Sequence, residues 1–265
     1  MPDDKHVKEY EGGGIMESVY KTDKGRVRQH NEDSGGVFEN AGGDLLAIVA
    51  DGMGGHRAGD IASGMTVQCF KEAFEKFGPV ADAESAEAWL SETIGEVNAR
   101  LFEHAAHHPE CEGMGTTLVA AVCTEGFISI ANIGDSRGYI FNENGFQQLT
   151  EDHSLVNELV KTGQISKEDA ENHPHKNVIL KALGTEDSIS PDLKTIVFEE
   201  NDTLLLCSDG LSNKVPTEVM KEVLEKDLPL GEKADMLVDY ANENGGEDNI
   251  TIVLLSSGRN KGGCP

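Results

Sequence analysis

Five short apolar runs rich in β-branched residues, at 45–50, 117–122, 127–133, 203–207 and 249–255, most constrain how this chain can fold. Each is bounded by turn residues and too short for a core helix, so each predicts a buried strand. Between the first two runs, Ala58, Ile61, Ala62, Met65, Cys69, Ala73 and Phe77 recur at spacings of three and four, with Gly78-Pro79 as a stop. That pattern predicts a helix over 58–77. A second helix, over about 83–104, carries Leu90, Ile94, Val97 and Leu101 on one face. Two long helices followed by several strands predict helices stacked on one side of a mainly antiparallel sheet. A hairpin is expected over 139–149, turning at Asn142-Glu143-Asn144-Gly145, and two more helices near 217–226 and 231–244 precede the last strand. Residues 153–190 are polar and rich in His, Asn and Lys, and read as an inserted mobile subdomain. No internal repeat or low-complexity linker is visible, and the residues before Met16 and after Gly258 read as loose ends.

Charge removes several classes of function. With 22 Lys+Arg against 48 Asp+Glu the net charge is −26, which repels nucleic-acid phosphates over most of the surface. The 265 residues, 38 % hydrophobic, suffice for one large domain or two small ones with a real core. No apolar run approaches the ~18 residues of a membrane helix, and the start is charged, so no membrane association and a cytoplasmic location are expected. Cys69, Cys111, Cys123, Cys207 and Cys264 are odd in number and lack metal or redox spacing. Cys123 and Cys207 lie in apolar runs and are expected to fill the core of a protein from a reducing compartment.

The acids carry the chemistry. Asp51, Asp135 and Asp209 follow apolar runs and Asp248 precedes one; a glycine adjoins each of the first three. Such a glycine permits a sharp turn and close approach of the backbone to a ligand. If neighbouring strands run antiparallel, these four tips meet at one end of the sheet. Carboxylates gathered without bases must take up protons or bind a cation. Oxygen donors without Cys or clustered His favour Mg²⁺ or Mn²⁺ over zinc, and no calcium-hand spacing is present. The plainer reading is that each Asp-Gly is only a turn after a strand.

At this point the motifs resemble the metal-dependent protein phosphatase 2C family: Arg28-Gln29-His30-Asn31-Glu32-Asp33, Asp51-Gly52-Met53-Gly54-Gly55-His56, Gly115-Thr116-Thr117, Gly134-Asp135-Ser136-Arg137, Thr150-Glu151-Asp152-His153, Ser208-Asp209-Gly210 and Asp248-Asn249-Ile250-Thr251. They stand in family order over nearly the whole chain, in forms similar to the bacterial branch. The resemblance implies an α+β fold, a four-layer α-β-β-α sandwich of two mainly antiparallel sheets flanked by helix pairs. It implies a catalytic domain over 15–256 with a flap at about 153–190, and flexible ends at 1–14 and 257–265. It also implies hydrolysis of phosphoserine and phosphothreonine in proteins by water activated at two Mn²⁺ or Mg²⁺ ions, opposing a serine/threonine kinase on a separate chain. By motif position Asp51 would bridge both ions, the Gly52 carbonyl would bind one, and Asp209 and Asp248 would hold the other. Glu32 and Asp33 would act through water, and Asp135 with Asp209 would form a weaker third site. The flap would govern substrate choice, and the protein is expected to be a monomer.

Arg28 is the one strong cation of its motif, and its fork suits two phosphate oxygens; a salt bridge to a nearby acid is the alternative. The eukaryotic branch has a His directly after Asp-Gly, its proposed general acid, but here Met53 stands there. His56, three residues on, is a candidate donor or merely a helix cap. His107, His108, His173 and His175 read as exposed loop residues, and His153 as an organiser of the flap's base.

Two readings compete. Gly134-Asp135-Ser136-Arg137-Gly138 spells the serine-hydrolase elbow, which requires a helix after the serine, whereas Tyr139-Ile140-Phe141 predicts a strand. A catalytically silent phosphoprotein-binding module of the same fold would be expected to lose metal carboxylates, yet Asp51, Asp135, Asp209 and Asp248 are all present. An active enzyme dedicated to one regulatory partner is compatible with every motif.

Overall fold

A computed structural model of the chain describes residues 8–11, 16–55, 58–171 and 173–258. Two antiparallel sheets lie face to face. The first has the order β1 (Lys8–Glu11), β2 (Met16–Asp23), β12 (Ile250–Ser257), β11 (Thr203–Cys207), β8 (Arg137–Asn142) and β9 (Gly145–Gln148). The second runs β10 (Asp192–Val197), β7 (Phe127–Ile133), β6 (Leu118–Cys123), β4 (Leu45–Met53) and β3 (Asp33–Glu39), with β5 (Gly115–Thr116) paired to the end of β4.

The pleat explains why the central strands read as unbroken apolar runs. Along β4, Leu45, Ala47 and Val49 point between the sheets, and Leu46 and Ile48 point outward. Along β12, Val253 and Leu255 face inward while Ile250, Ile252 and Leu254 face the opposite way. Outward residues of the second sheet pack on α1 (Ala58–Phe74) and α2 (Ala83–His107); those of the first pack on α6 (Thr217–Leu224) and α7 (Leu230–Glu243). Both faces of the central strands are therefore buried, which removes the apolar-polar alternation of a half-exposed strand.

The expected stacking of two long helices on one side of an antiparallel sheet is met by α1 and α2 on the second sheet, and the first sheet adds a helix pair of its own. Each sheet carries its own helix pair, and the four-layer sandwich is the observed architecture. The run at 203–207 matches β11 and that at 127–133 matches β7. α1 ends at Phe74, with Phe77 in the following turn, and α2 extends past 104 to His107 behind an Asp82–Ser85 capping box. Of the segments expected to be loose, Lys8–Glu11 pairs with β2 and Ser257 pairs with Met16. Residues 1–7, 12–15 and 259–265 lie outside the described residues.

The segment 153–190 holds two short helices, α3 (Leu155–Lys161) and α4 (Lys167–Glu171). Its base is tied down at Ser154 to Ile179 and at Leu183 to Thr116. No helix among the described residues is long and apolar enough to cross a membrane.

Candidate metal centre

Asp51 sits within the last residues of β4, which runs past the expected end at residue 50, and its register partner on β3 is Asp33. Its backbone is fixed on both sides. The Asp51 N–H donates to Thr117 Oγ1 at 3.0 Å, and its carbonyl accepts from the Thr117 N–H and the Thr116 hydroxyl, both at 2.9 Å. Thr117 Oγ1 also lies 2.7 Å from Ser136 Oγ, which couples this strand end to the loop bearing Asp135. Gly52 donates its N–H to the Glu32 carbonyl at 3.1 Å. A Cβ at position 52 would lie 2.0 Å from the Gly59 carbonyl oxygen on α1, so the strand end and helix meet backbone to backbone.

Asp209 opens the one-turn helix α5 (Asp209–Ser212), and Asp248 stands two residues before β12. Here too the backbones touch: a Cβ on Gly210 would lie 1.9 Å from the Asn249 carbonyl oxygen. The buried Asn249 side chain accepts from the Glu32 N–H at 2.8 Å and donates to the carbonyls of Lys24 and His30 at 2.9 and 3.0 Å. It thus holds the loop that presents Arg28, Glu32 and Asp33. Gly25 permits that loop's turn, with φ at +79° against the Asp248 carbonyl.

Burial and mutual repulsion dominate the electrostatics. Burial is the main reason that Asp33 and Asp135 are each raised from 3.8 to about 7 and Asp209 to about 6. Asp51 is raised well above the carboxylate range, first by burial and then by Asp33, Asp209, Asp135 and Asp248. Glu32 is raised by burial against the opposing pull of Arg28. Asp33 Oδ2 accepts from Ser208 Oγ at 2.8 Å, but among the described residues the buried Oδ1 atoms of Asp33, Asp135 and Asp209 have no hydrogen-bond partner. Of the nearby guanidiniums, Arg137 is bidentate to Asp152, with Nη2 at 2.6 Å, and Arg28 meets one carboxylate of this edge, its Nη2 2.8 Å from Asp248 Oδ2.

These residues fit hard divalent ions. The donors are all oxygen, and three buried carboxylate oxygens have no hydrogen-bond partner among the described residues. The side chains converge without closing round one point: among the described residues, no three His, Cys, Asp or Glu side chains already form a ligand set.

The structure brings Asp33, Asp51, Asp135, Asp209 and Asp248 to one edge, with Glu32, Gly52 and Arg28 beside them. Arg28 adopts the salt bridge weighed as its alternative, and Asp248 raises its pKa despite the opposing effect of burial. His56 lies outside the described residues. His153 organises the flap's base: its Nδ1 accepts from the Gly134 N–H at 3.1 Å, and its N–H donates to the Gly134 carbonyl at 2.9 Å. His107 and His108 are exposed, but His107 ends α2 rather than lying in a loop. Cys123 and Cys207 are buried, and burial pushes the Cys207 thiol up to about 12. After Ser136 the chain enters β8, so the helix required by a serine-hydrolase elbow is absent. Sequence reasoning gave no role to Asn249, Thr117, Ser136 or Ser208, although all four stand inside motifs; that placement was the available signal.

A cleft of about 660 Å³ leads away from Asp135 and Asp209, between the flap and the connection from α5 to α6.

The sequence profile described as Protein phosphatase 2C matches residues 22–241. The chain is 52% identical over 240 residues to the serine/threonine phosphatase stp of Listeria monocytogenes serovar 1/2a, covering 91% of this chain and 95% of that protein. Its fold is similar to the crystal structure of the serine/threonine phosphatase Stp1 from Staphylococcus aureus, with a TM-score of 0.87 at 39% identity over 95% of this chain and 98% of that one. The catalytic domain of the serine threonine protein phosphatase PstP, in complex with 2 manganese ions, gives a TM-score of 0.81 at 33% identity over 92% of this chain and 99% of that one.

Proposed function

The chain belongs to the protein phosphatase 2C family and is a metal-dependent serine/threonine phosphatase, and we propose that two Mn²⁺ or Mg²⁺ ions on the carboxylate edge run its reaction. Asp51 would bridge both ions, the Gly52 carbonyl would bind one, and Asp209 and Asp248 would hold the other. Glu32 and Asp33 would act through surrounding water, and Asp135 with Asp209 would offer a weaker third position. When bound, such ions supply an activated water and neutralise phosphate charge, so the monoester is cleaved directly without a covalent enzyme intermediate.

The chain's own groups prepare that edge. Thr116 and Thr117 fix the Asp51 backbone, Ser208 orients Asp33, and Asn249 holds the loop that carries Glu32. Arg28 would exchange its contact with Asp248 for two oxygens of the substrate phosphate. His56 is the proposed proton donor to the leaving alkoxide, with water as the alternative. The carrying observation is the set of buried carboxylate oxygens without partners at adjoining strand ends.

Phosphorylated proteins are the substrates, and we assign them to a serine/threonine kinase on another chain, with this protein acting as a cytoplasmic monomer. The test is phosphate release from a phosphothreonine peptide with Mn²⁺, beside EDTA-treated protein and Asp209→Ala. Release lost in both controls supports the reading. No release with either metal would favour a silent phosphoprotein-binding module.

A further inference from the structure

The geometry points to a substrate class for the site proposed above: phosphoprotein segments with acidic residues beside the phosphorylated one, taken up in the cleft between the flap and the α5–α6 connection. The inference rests on the phosphatase reading. Asp135 and Asp209 line this cleft, so it opens onto the carboxylate edge. A phosphorylated residue delivered to that edge has a continuous groove along which its flanking chain can lie. Its volume, about 660 Å³, lies in the range of sites that bury a ligand of several hundred daltons, such as a short peptide segment.

Of the charged residues lining the cleft, Asp135 and Asp209 belong to the carboxylate edge, and Arg137 and Asp152 neutralise one another. The remaining ones are Lys167 and Lys176 from the flap, Lys214 from the α5–α6 connection and one acid, Glu218. These three lysines stand on a chain whose net charge is −26. Lys214 is held 2.5 Å from Glu247. Lys167 and Lys176 are exposed and make no salt bridge among the described residues, although Lys176 is close enough to Glu247 to lower its pKa alongside Lys214. Two ammonium groups on flexible stems, facing a groove entered by a phosphorylated chain, favour carboxylates on that chain and repel lysines. Exposed pairs of this kind are individually weak, so two of them predict a discrimination of about 3–10-fold.

The test is kcat/KM with Mn²⁺ for three phosphothreonine peptides that differ only in having Glu, Gln or Lys at the two positions on each side, measured beside p-nitrophenyl phosphate. The Glu peptide is expected to exceed the Gln peptide by about 3–10-fold, with the Lys peptide lowest. The ratio should shrink as salt rises from about 0.05 M to about 0.5 M. In the double variant Lys167→Glu, Lys176→Glu the order should invert. Equal values for the three peptides in the wild type, a ratio indifferent to salt, or an order unchanged in the variant would overturn the inference while leaving the phosphatase reading intact. If the double variant does not fold, the wild-type ratio and its salt dependence decide the matter alone. Failure to hydrolyse p-nitrophenyl phosphate and all three peptides would overturn the phosphatase reading itself, and this inference with it.

Discussion

Asp33 and Asp51 are register partners across β3 and β4, two buried carboxylates facing each other on adjacent antiparallel strands. Like charges so placed destabilise a sheet. Without a metal ion, burial and mutual repulsion lift both groups far above the usual carboxylate range, which favours proton uptake there.

That proton uptake sets a pH dependence for the metal-free protein. Asp33, Asp135 and Asp209 have folded values of about 7, 7 and 6 against an ordinary 3.8, so the folded state binds more protons in between. Their contribution to stability is complete below about pH 4 and falls as pH rises to about 7, then levels off. Urea midpoints in EDTA across this window should show the decline. Adding Mn²⁺ at neutral pH should raise the midpoint and release protons into a weakly buffered solution.

Asp209→Ala should lower metal-dependent turnover by at least about 100-fold, since removal of even an outer-shell partner costs about 10–100-fold at metal sites. The metal-free variant should be as stable as the parent or more so, because a repelling carboxyl has gone from the edge. Thermal unfolding in EDTA and phosphate release with Mn²⁺ check both halves. Retained turnover would remove Asp209 from the ligand set.

Arg28→Ala should raise KM for phosphopeptides by roughly 10-fold with a smaller change in kcat, the loss of a charge-assisted contact to phosphate. If Arg28 served only as the counter-ion of Asp248, the change would fall instead on the Mn²⁺ concentration needed for half-maximal activity. Measuring both separates the two roles.

Asn249→Ala strips three hydrogen bonds from the loop over 24–32. A cost of about 1–3 kcal/mol is expected, read from the urea midpoint. A fall in kcat/KM should accompany it because Glu32 and Arg28 lose their anchor. Full activity at reduced stability would make Asn249 a packing residue only.

Gly52→Ala would set a methyl group 2.0 Å from the Gly59 carbonyl oxygen and 2.6 Å from that of Glu32. The end of β4 must then part from α1, at a cost of about 1–3 kcal/mol or more, and Asp51 must move with it. A thermal-shift assay and metal-dependent turnover should both fall. A Gly55→Ala control, where none of the described residues lies within 4 Å of the added carbon, should leave stability within about 0.5 kcal/mol of the parent.

Legibility in the sequence followed burial. β7 and β11 stand where their apolar runs do, because strands buried on both faces carry an uninterrupted signal. β3 escaped because Gly35 and Gly36 break its run, and a Cβ at Gly35 would lie 2.7 Å from the Ile48 carbonyl oxygen. β10 escaped because it is an exposed edge strand with Lys194 and Val197 open to solvent. The division of the helices between two sheets was not legible for another reason: local periodicity shows that a face is apolar but not which sheet covers it.

Aspartates beside glycines at the ends of apolar runs are local facts, and the sequence alone was enough to mark Asp51, Asp135, Asp209 and Asp248 and to place the chain beside its family. Tertiary structure alone decided that Asp33 would oppose Asp51, that Arg28 would rest on Asp248, and that Asn249 would span 217 residues to the Glu32 N–H and 225 to the Lys24 carbonyl. Contacts across such separations arise only when two sheets close on a common core, and no periodicity within a strand or helix encodes the partner on the far side.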